Sequence, residues 1–336
     1  MNNETNSLTT LPRQKQNAEE SIEAGPRREI PAFIEANTSA ITLEELTNDC
    51  IIPTFADLNP VIAHQTFANA VRSAAMSIYP NEKLGEIEMR GSHVIQGRIP
   101  SALHVPVKEL KDWQKTKYYQ RFAFAFEILS QRQCINGKEC YLTIGGTQSL
   151  ANVNLFGKQA PQKVSIFIGW RASVCSNGLI HTDGLISGAN VISSADIYEQ
   201  ALRLFSKYDA MEDLRNLQNL GTTFMTLDQF VGIIGRFRLY SAMSDKQKRE
   251  LNLPEVSLGD SIFNAATRNF LVDPNFGIGD SDVISCFQFM NLLNAAAKAS
   301  YIDLYATRNA DCTTIACEIQ KALNNEDTPY RWFLNE

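Results

Sequence analysis

The sequence predicts an α+β protein, with a central antiparallel or mixed β-sheet, a mainly helical C-terminal half and a disordered N-terminal leader. Three observations carry this. Residues 122–128 alternate Phe122, Phe124, Phe126 and Ile128 with Ala123, Ala125 and Glu127, the period of two of a strand. Asn136-Gly137 sits between two strand-like runs, and these residues tolerate the positive φ of a type I′ hairpin turn. From Ser194 onward, apolar residues recur at three- and four-residue steps. The expected organisation is a leader over 1–28, an α+β core over 29–192, and a helical region over 193–336 packed on that core.

The leader is rich in Asn, Thr, Gln and Glu and lacks apolar periodicity. Order is expected from Ile30-Pro31-Ala32-Phe33-Ile34. Thr42 with Glu45 three residues on predicts a capped helical turn. Cys50–Phe55 is short, apolar and broken by Pro53, which suits an edge strand. A helix is expected from His64 to Ile78, where Phe67, Ala70, Val71, Ala74, Ala75 and Ile78 form one stripe and Pro80 ends it.

Tyr141–Ile144 continues the hairpin, and Val164–Trp170 is a further strand. The Gly-rich stretch Thr143-Ile144-Gly145-Gly146-Thr147-Gln148 matches neither a phosphate loop nor a dinucleotide loop, so it reads as a bulge or turn, and no cofactor is expected. Long helices do not alternate with these strands, which excludes a doubly wound parallel sheet. Helices are expected over 194–217, 226–239, 245–251, 258–271, 284–298 and 310–323. Ser194 and Asp260 are placed as caps, and 273–277 as a turn-rich break.

Composition narrows function by exclusion. No stretch approaches the roughly 18–20 apolar residues of a membrane helix. No basic flank precedes an apolar core at the N-terminus, so a cytoplasmic protein is expected. Seven cysteines fall at irregular spacing without a C-x-x-C, beside only four histidines, so reduced thiols and no metal centre are expected. The net charge of −6 resides in residues 1–60, with ten acids and four bases. Residues 72–138 hold eleven bases against six acids.

That basic region includes Arg90, Arg98, Lys111, Lys115, Lys117 and Arg121, interleaved with Trp113, Tyr118 and Tyr119, and also holds His93 and His104. Cations among aromatics are what single-stranded nucleic acid binding uses, and also what an amphipathic surface looks like. The densest polar cluster is Arg171–Gly184. Arg171, Ser173, Cys175, Asn177 and Gly178 are its candidate binding residues, with a left-handed turn expected at Asn177-Gly178. Cys175 as nucleophile with His181 as base is the weaker, catalytic reading. Continuing the alternation of Val164, Ile166 and Ile168 puts Ala172 and Val174 on their face. Arg171 then joins Phe167 on the other, half-covered face, where it needs a carboxylate, carbonyl or phosphate, and the polar side chains lie at the core's rim.

Several stretches in order resemble the family catalogued as domain of unknown function 3871. They are 33–38, 50–55, 97–100, 171–179, 273–277, 298–303 and Tyr330-Arg331-Trp332-Phe333. The similarity covers nearly everything after residue 30. Arg171-x-x-x-Cys175-x-Asn177-Gly178-Leu179 also resembles the signature of phage/plasmid-like proteins. One departure is Cys286-Phe287-Gln288-Phe289, where the family usually has a Trp-Arg-Phe-like start. The resemblance implies a Bacteroides-type bacterial, mobile-element setting and assigns no chemistry. The leading expectation is a non-enzymatic accessory factor that binds nucleic acid or a protein partner. A Cys-dependent hydrolase or transferase and a structural homo-oligomer are the alternatives. No heptad seam specifies an oligomer.

Overall fold

A computed structural model describes residues 31–50, 62–149, 161–279 and 282–334, without the side chains of Gln96 and 116–119. The expected leader and the expected strand 50–55 lie outside these residues, apart from Cys50. In chain order the elements are β1 (Thr38–Ala40), α1 (Leu43–Asn48), α2 (His64–Ile78), β2 (Glu88–Ser92), β3 (Ile95–Arg98), β4 (Lys115–Tyr119), β5 (Phe122–Ile135), β6 (Lys138–Gln148), β7 (Gln162–Ala172), β8 (Gly178–Leu179) and β9 (Leu185–Val191). There follow α3 (Ser194–Lys207), α4 (Ala210–Asn219), β10 (Phe224–Thr226), α5 (Leu227–Ala242), α6 (Asp245–Glu250), α7 (Asp260–Val272), β11 (Val283–Ser285), α8 (Cys286–Ala297) and α9 (Ile302–Leu323).

The main sheet runs β1-β2-β5-β6-β7-β8, with β9 also on β7, and every pairing is antiparallel. Asn136 (φ 47°) and Gly137 (φ 77°) make the expected hairpin between β5 and β6. The register puts Phe122, Phe124 and Phe126 level with Gln148, Gly146 and Ile144, and these with Val164, Ile166 and Ile168. This row faces Phe67 and Val71 of α2 in the main core. Thr42 and Glu45 cap α1 reciprocally, as expected.

The opposite face is covered as well. Ala123, Ala125 and Phe167 pack under Phe33, Ile34 and Ile180, and under Ile302, Tyr305, Ala306 and Ala310 of α9. The face expected to be half-covered is therefore buried, because α9 and the 33–34 segment, distant in sequence, close over it.

Gly145 and Gly146 form no bulge; they continue β6 between Phe124, Ala125, Ile166 and Phe167. A Cβ on Gly146 would stand 2.6 Å from the Phe67 ring, and one on Gly145 would overlap the Phe124 carbonyl and the Phe167 ring. Packing against rings, rather than a turn, explains these glycines.

The helical half differs from expectation at its ends. The run 194–217 is two helices, because Tyr208 leaves helical geometry and Asp209 caps α4 by accepting from Met211 and Glu212. Ser193, not Ser194, caps α3. Gly259 occupies the N-cap of α7, while Asp260, one residue inside, pairs with Arg238. The last helix begins eight residues before the expected 310.

Candidate functional site

Strand β7 delivers Arg171 to the buried face. Its Nη2 lies 2.8 Å from Glu88 Oε2 and 3.3 Å from the Pro31 carbonyl oxygen, and its guanidinium sits 5.7 Å from the Phe33 ring centre. The register sets Glu88, Ala125, Gly145 and Phe167 in one row across the sheet, and Arg171 stands four residues further along β7 on the same face. An internal carboxylate thus supplies the charge partner of the arginine through Nη2, while its buried Nε has no hydrogen-bond partner.

The chain then turns, but its left-handed residue is Ser176 (φ 51°), not Asn177 or Gly178. The physical reason lies in Asn177. Its carbonyl accepts from the Ala172 N–H, and its amide donates to the Asn291 carbonyl of α8 at 2.9 Å, so its backbone is held in register. Ser176 and Asn177 are fully buried rather than at a rim, while Val174 leaves the strand and is exposed. Ser173 donates its N–H to the Glu139 carbonyl and extends the pairing with β6.

Three of the stretches that carry the resemblance meet here. Lys298 donates to the Cys175 carbonyl, Glu35 donates its N–H to the Lys298 carbonyl, and Phe33 covers Arg171. Burial pushes the Lys298 ammonium below its usual range. Behind the turn, Asn291, Asn294 and Lys298 occupy one face of α8 and its C-terminal end, with Asn309 on α9; all are buried. Asn291, Asn294 and Lys298, at i, i+3 and i+7 of a mainly apolar helix, are the sequence signal for this seam.

The catalytic pairing of Cys175 with His181 is not assembled. Burial pushes the Cys175 thiol up, and the charges acting on it come from Lys298, Asp273 and Lys138. A nucleophilic thiol needs the opposite shift. His181 instead meets Cys317 Sγ at 3.7 Å and lies 3.7 Å from Asp213 Oδ1. The Cys317 thiol is pushed up to about 12 by burial. Among the described residues, no group of His, Cys, Asp and Glu has metal-holding geometry.

Asp213 was read only as part of a helix, yet it is the buried acid of this end. Its side chain is 4% exposed, and it accepts from the Tyr208 hydroxyl. Burial raises its carboxyl to about 6, against lowering by His181 and by Tyr208. Its folded pKa thus stands above the ordinary 3.8. Below pH 4 the group is neutral folded or unfolded and costs nothing. Between about 4 and 6 the cost of keeping it folded grows, and it is complete above about 6. Asp213→Asn should accordingly stabilise the protein by roughly 2 kcal/mol at pH 7.5 and by little at pH 4. Urea unfolding at the two pH values checks this, and equal effects would refute it.

The basic stretch is dispersed. Arg90 donates to the Thr38 hydroxyl and carbonyl, Arg98 to the Leu103 and Val105 carbonyls, and Arg121 pairs with Asp303 at 3.0 Å beneath Tyr301. Lys115 pairs with Asp112 at 2.8 Å. Lys117 lies on β4, with its side chain outside the described residues. Strands β3 and β4 pair with one another apart from the main sheet, and the loop joining them carries Lys111 and Trp113 on its surface. On this arm Leu103, Val107 and Trp113 are 70%, 69% and 67% exposed.

All seven cysteines are free thiols. Among the described residues no helix is long and apolar enough to cross a membrane. No curated protein and no solved structure matches the chain. Residues 16–334 match the family described as "Domain of unknown function, B. Theta Gene description (DUF3871)". With the match running through the sheet, the Arg171–Leu179 turn and the closing helix α9, the chain belongs to this family.

Proposed function

We propose that this protein is a non-enzymatic accessory factor that holds a protein partner through the arm between β2 and β5. The observation that carries the reading is the exposure of Leu103, Val107 and Trp113 on one loop beside Lys108 and Lys111. Large exposed apolar side chains near cations are the residue types that anchor interfaces. Residues 93–120 hold five Lys or Arg against two Asp or Glu, so the partner surface is apolar with an acidic rim. Arg90, Arg98, Arg121 and Arg171 are engaged internally, which weakens a phosphate-binding reading and favours protein over nucleic acid. The resemblance to phage/plasmid-like proteins supports a cytoplasmic role tied to a mobile element.

A photo-crosslinking residue at Trp113, introduced in cells of the source organism, tests this against one at exposed Val231 on α5. A discrete adduct from position 113 alone, removed by protease and not by nuclease, is expected. A nuclease-sensitive adduct would transfer the arm to nucleic acid, and binding would then weaken steeply with salt. No adduct at 113 would overturn the reading.

A further inference from the structure

A cavity of about 230 Å³ opens at the start of α4, on a different element from the arm, and is lined by His181, Asp183, Tyr208, Glu212 and Asp213 among others. We propose that it is a binding site for a small organic cation carrying an ammonium or guanidinium head.

The charge of the lining sets the ligand's sign. Asp183, Asp209, Glu212 and Asp213 line it against the single ammonium of Lys207. A helix N-terminus by itself favours anions, but four carboxylates reverse that preference here. Asp209 already has its work, accepting the Met211 and Glu212 N–H groups at 2.9 Å each.

Asp213 supplies the second, independent observation. An acidic residue in the first turn of a helix needs no burial to oppose the dipole. Asp213 is nonetheless almost wholly out of water, and only one of its oxygens is used, by Tyr208. The other, Oδ1, is itself buried and has no hydrogen-bond donor; the His181 ring, whose charge acts on it, stands 3.7 Å away, outside hydrogen-bond reach. A buried carboxylate with an unfilled oxygen is destabilising unless a cation or donor completes it. Asp183, whose charge acts on Asp213, lies on the exposed turn before β9 and lines the same cavity. Tyr208, whose hydroxyl holds the other Asp213 oxygen, also lines the cavity. The volume is below the roughly 300–1,000 Å³ of drug-sized pockets, which limits the occupant to a small amine or one basic side chain.

Titration calorimetry on the full chain at pH 7.5 tests the site with three probes. Putrescine and methylguanidine represent free cations, and Nα-acetyl-lysine amide represents a side chain of a peptide. At least one should bind, and whether the free amines or the lysine amide bind tighter separates the two sources. Asp213 faces His181 and Asp183 from the preceding turn, Tyr208, Lys207, Asp209 and Glu212 around the α3–α4 junction, and Cys317 from α9. Because the ligand needs an ionised Asp213, affinity should fall about tenfold from pH 7.5 to pH 5, with proton release on binding near pH 6. Asp213→Asn and Asp183→Asn should each weaken binding at least tenfold; the second, on an exposed turn, leaves the core untouched. Trp113→Ala should leave binding unchanged, so this test and that of the arm fail separately. No binding at millimolar concentration, tight binding that survives both substitutions, or uptake of Mn²⁺ or Ca²⁺ with no organic cation bound would each overturn the proposal.

Discussion

Replacing Glu88 with Ala should destabilise the protein by about 3 kcal/mol, because it strands a buried guanidinium. The Arg171 side chain is 6% exposed and its partner 31%, so Glu88 is the more easily hydrated half of the pair. Removing the carboxylate leaves Arg171 with the Pro31 carbonyl, the Phe33 ring and the more distant charge of Glu127, and also takes away the acceptor of the Phe33 N–H. Arg171→Lys keeps a charge but gives up the planar stacking on Phe33, and should cost less, about 1–2 kcal/mol. Arg132→Ala removes an ion pair whose arginine is 59% exposed and should cost well under 1 kcal/mol. Urea midpoints of the three variants give the ranking. If Glu88→Ala lies within about 0.5 kcal/mol of the wild type, the pair does not hold the sheet together and Arg171 must be satisfied otherwise.

A single methyl group at position 145 should be about as damaging, near 3 kcal/mol. The Cβ of Gly145→Ala would run into a backbone carbonyl of the neighbouring strand and into the Phe167 ring, itself fixed against Tyr305 of α9. Neither can retreat without separating β5 from β6 or lifting the helix that covers that face. Gly232→Ala on α5 is the counterpart, since nothing stands within 4 Å of its Cβ. It should stabilise by up to about 1 kcal/mol, through helix propensity. Melting temperatures that move in the same direction for both substitutions would contradict this account of the sheet.

The parts that were legible in the sequence obey local rules. Phe122 to Ile128, the Asn136-Gly137 turn, the Thr42–Glu45 cap and the limits of α2 each follow from a few neighbouring residues. What escaped depends on residues far apart in the chain. Gly145 looked like a turn because the rings that require it come from Phe167 and, at its neighbour Gly146, from Phe67. The need of Arg171 for a carboxylate was legible, whereas Glu88 as its source was not, since only the sheet order brings β2 within reach. Asn177 suggested a left-handed turn until Asn291 claimed its amide. Asp213, Tyr208 and Cys317 carry no motif at all, and His181 acquires them only when α4 and α9 pack.

The helix that seals the back of the sheet is made long after the strands it covers. Strands β2 to β9 are complete by residue 191, but the side chains that cover Ala125, Phe167 and Ile180 arrive with Ile302 to Ala310. At elongation rates of about 5–20 residues per second, that interval is on the order of ten seconds. For that time only Phe33, Ile34 and Ile180 cover this face, and the part that α9 will close over stays an open apolar surface on a nascent chain. The contacts that end this exposure are among the most distant in sequence, which is the class that forms slowly. The late closure of α9 therefore exposes this face to chaperones and to aggregation for an interval that the finished fold does not reveal.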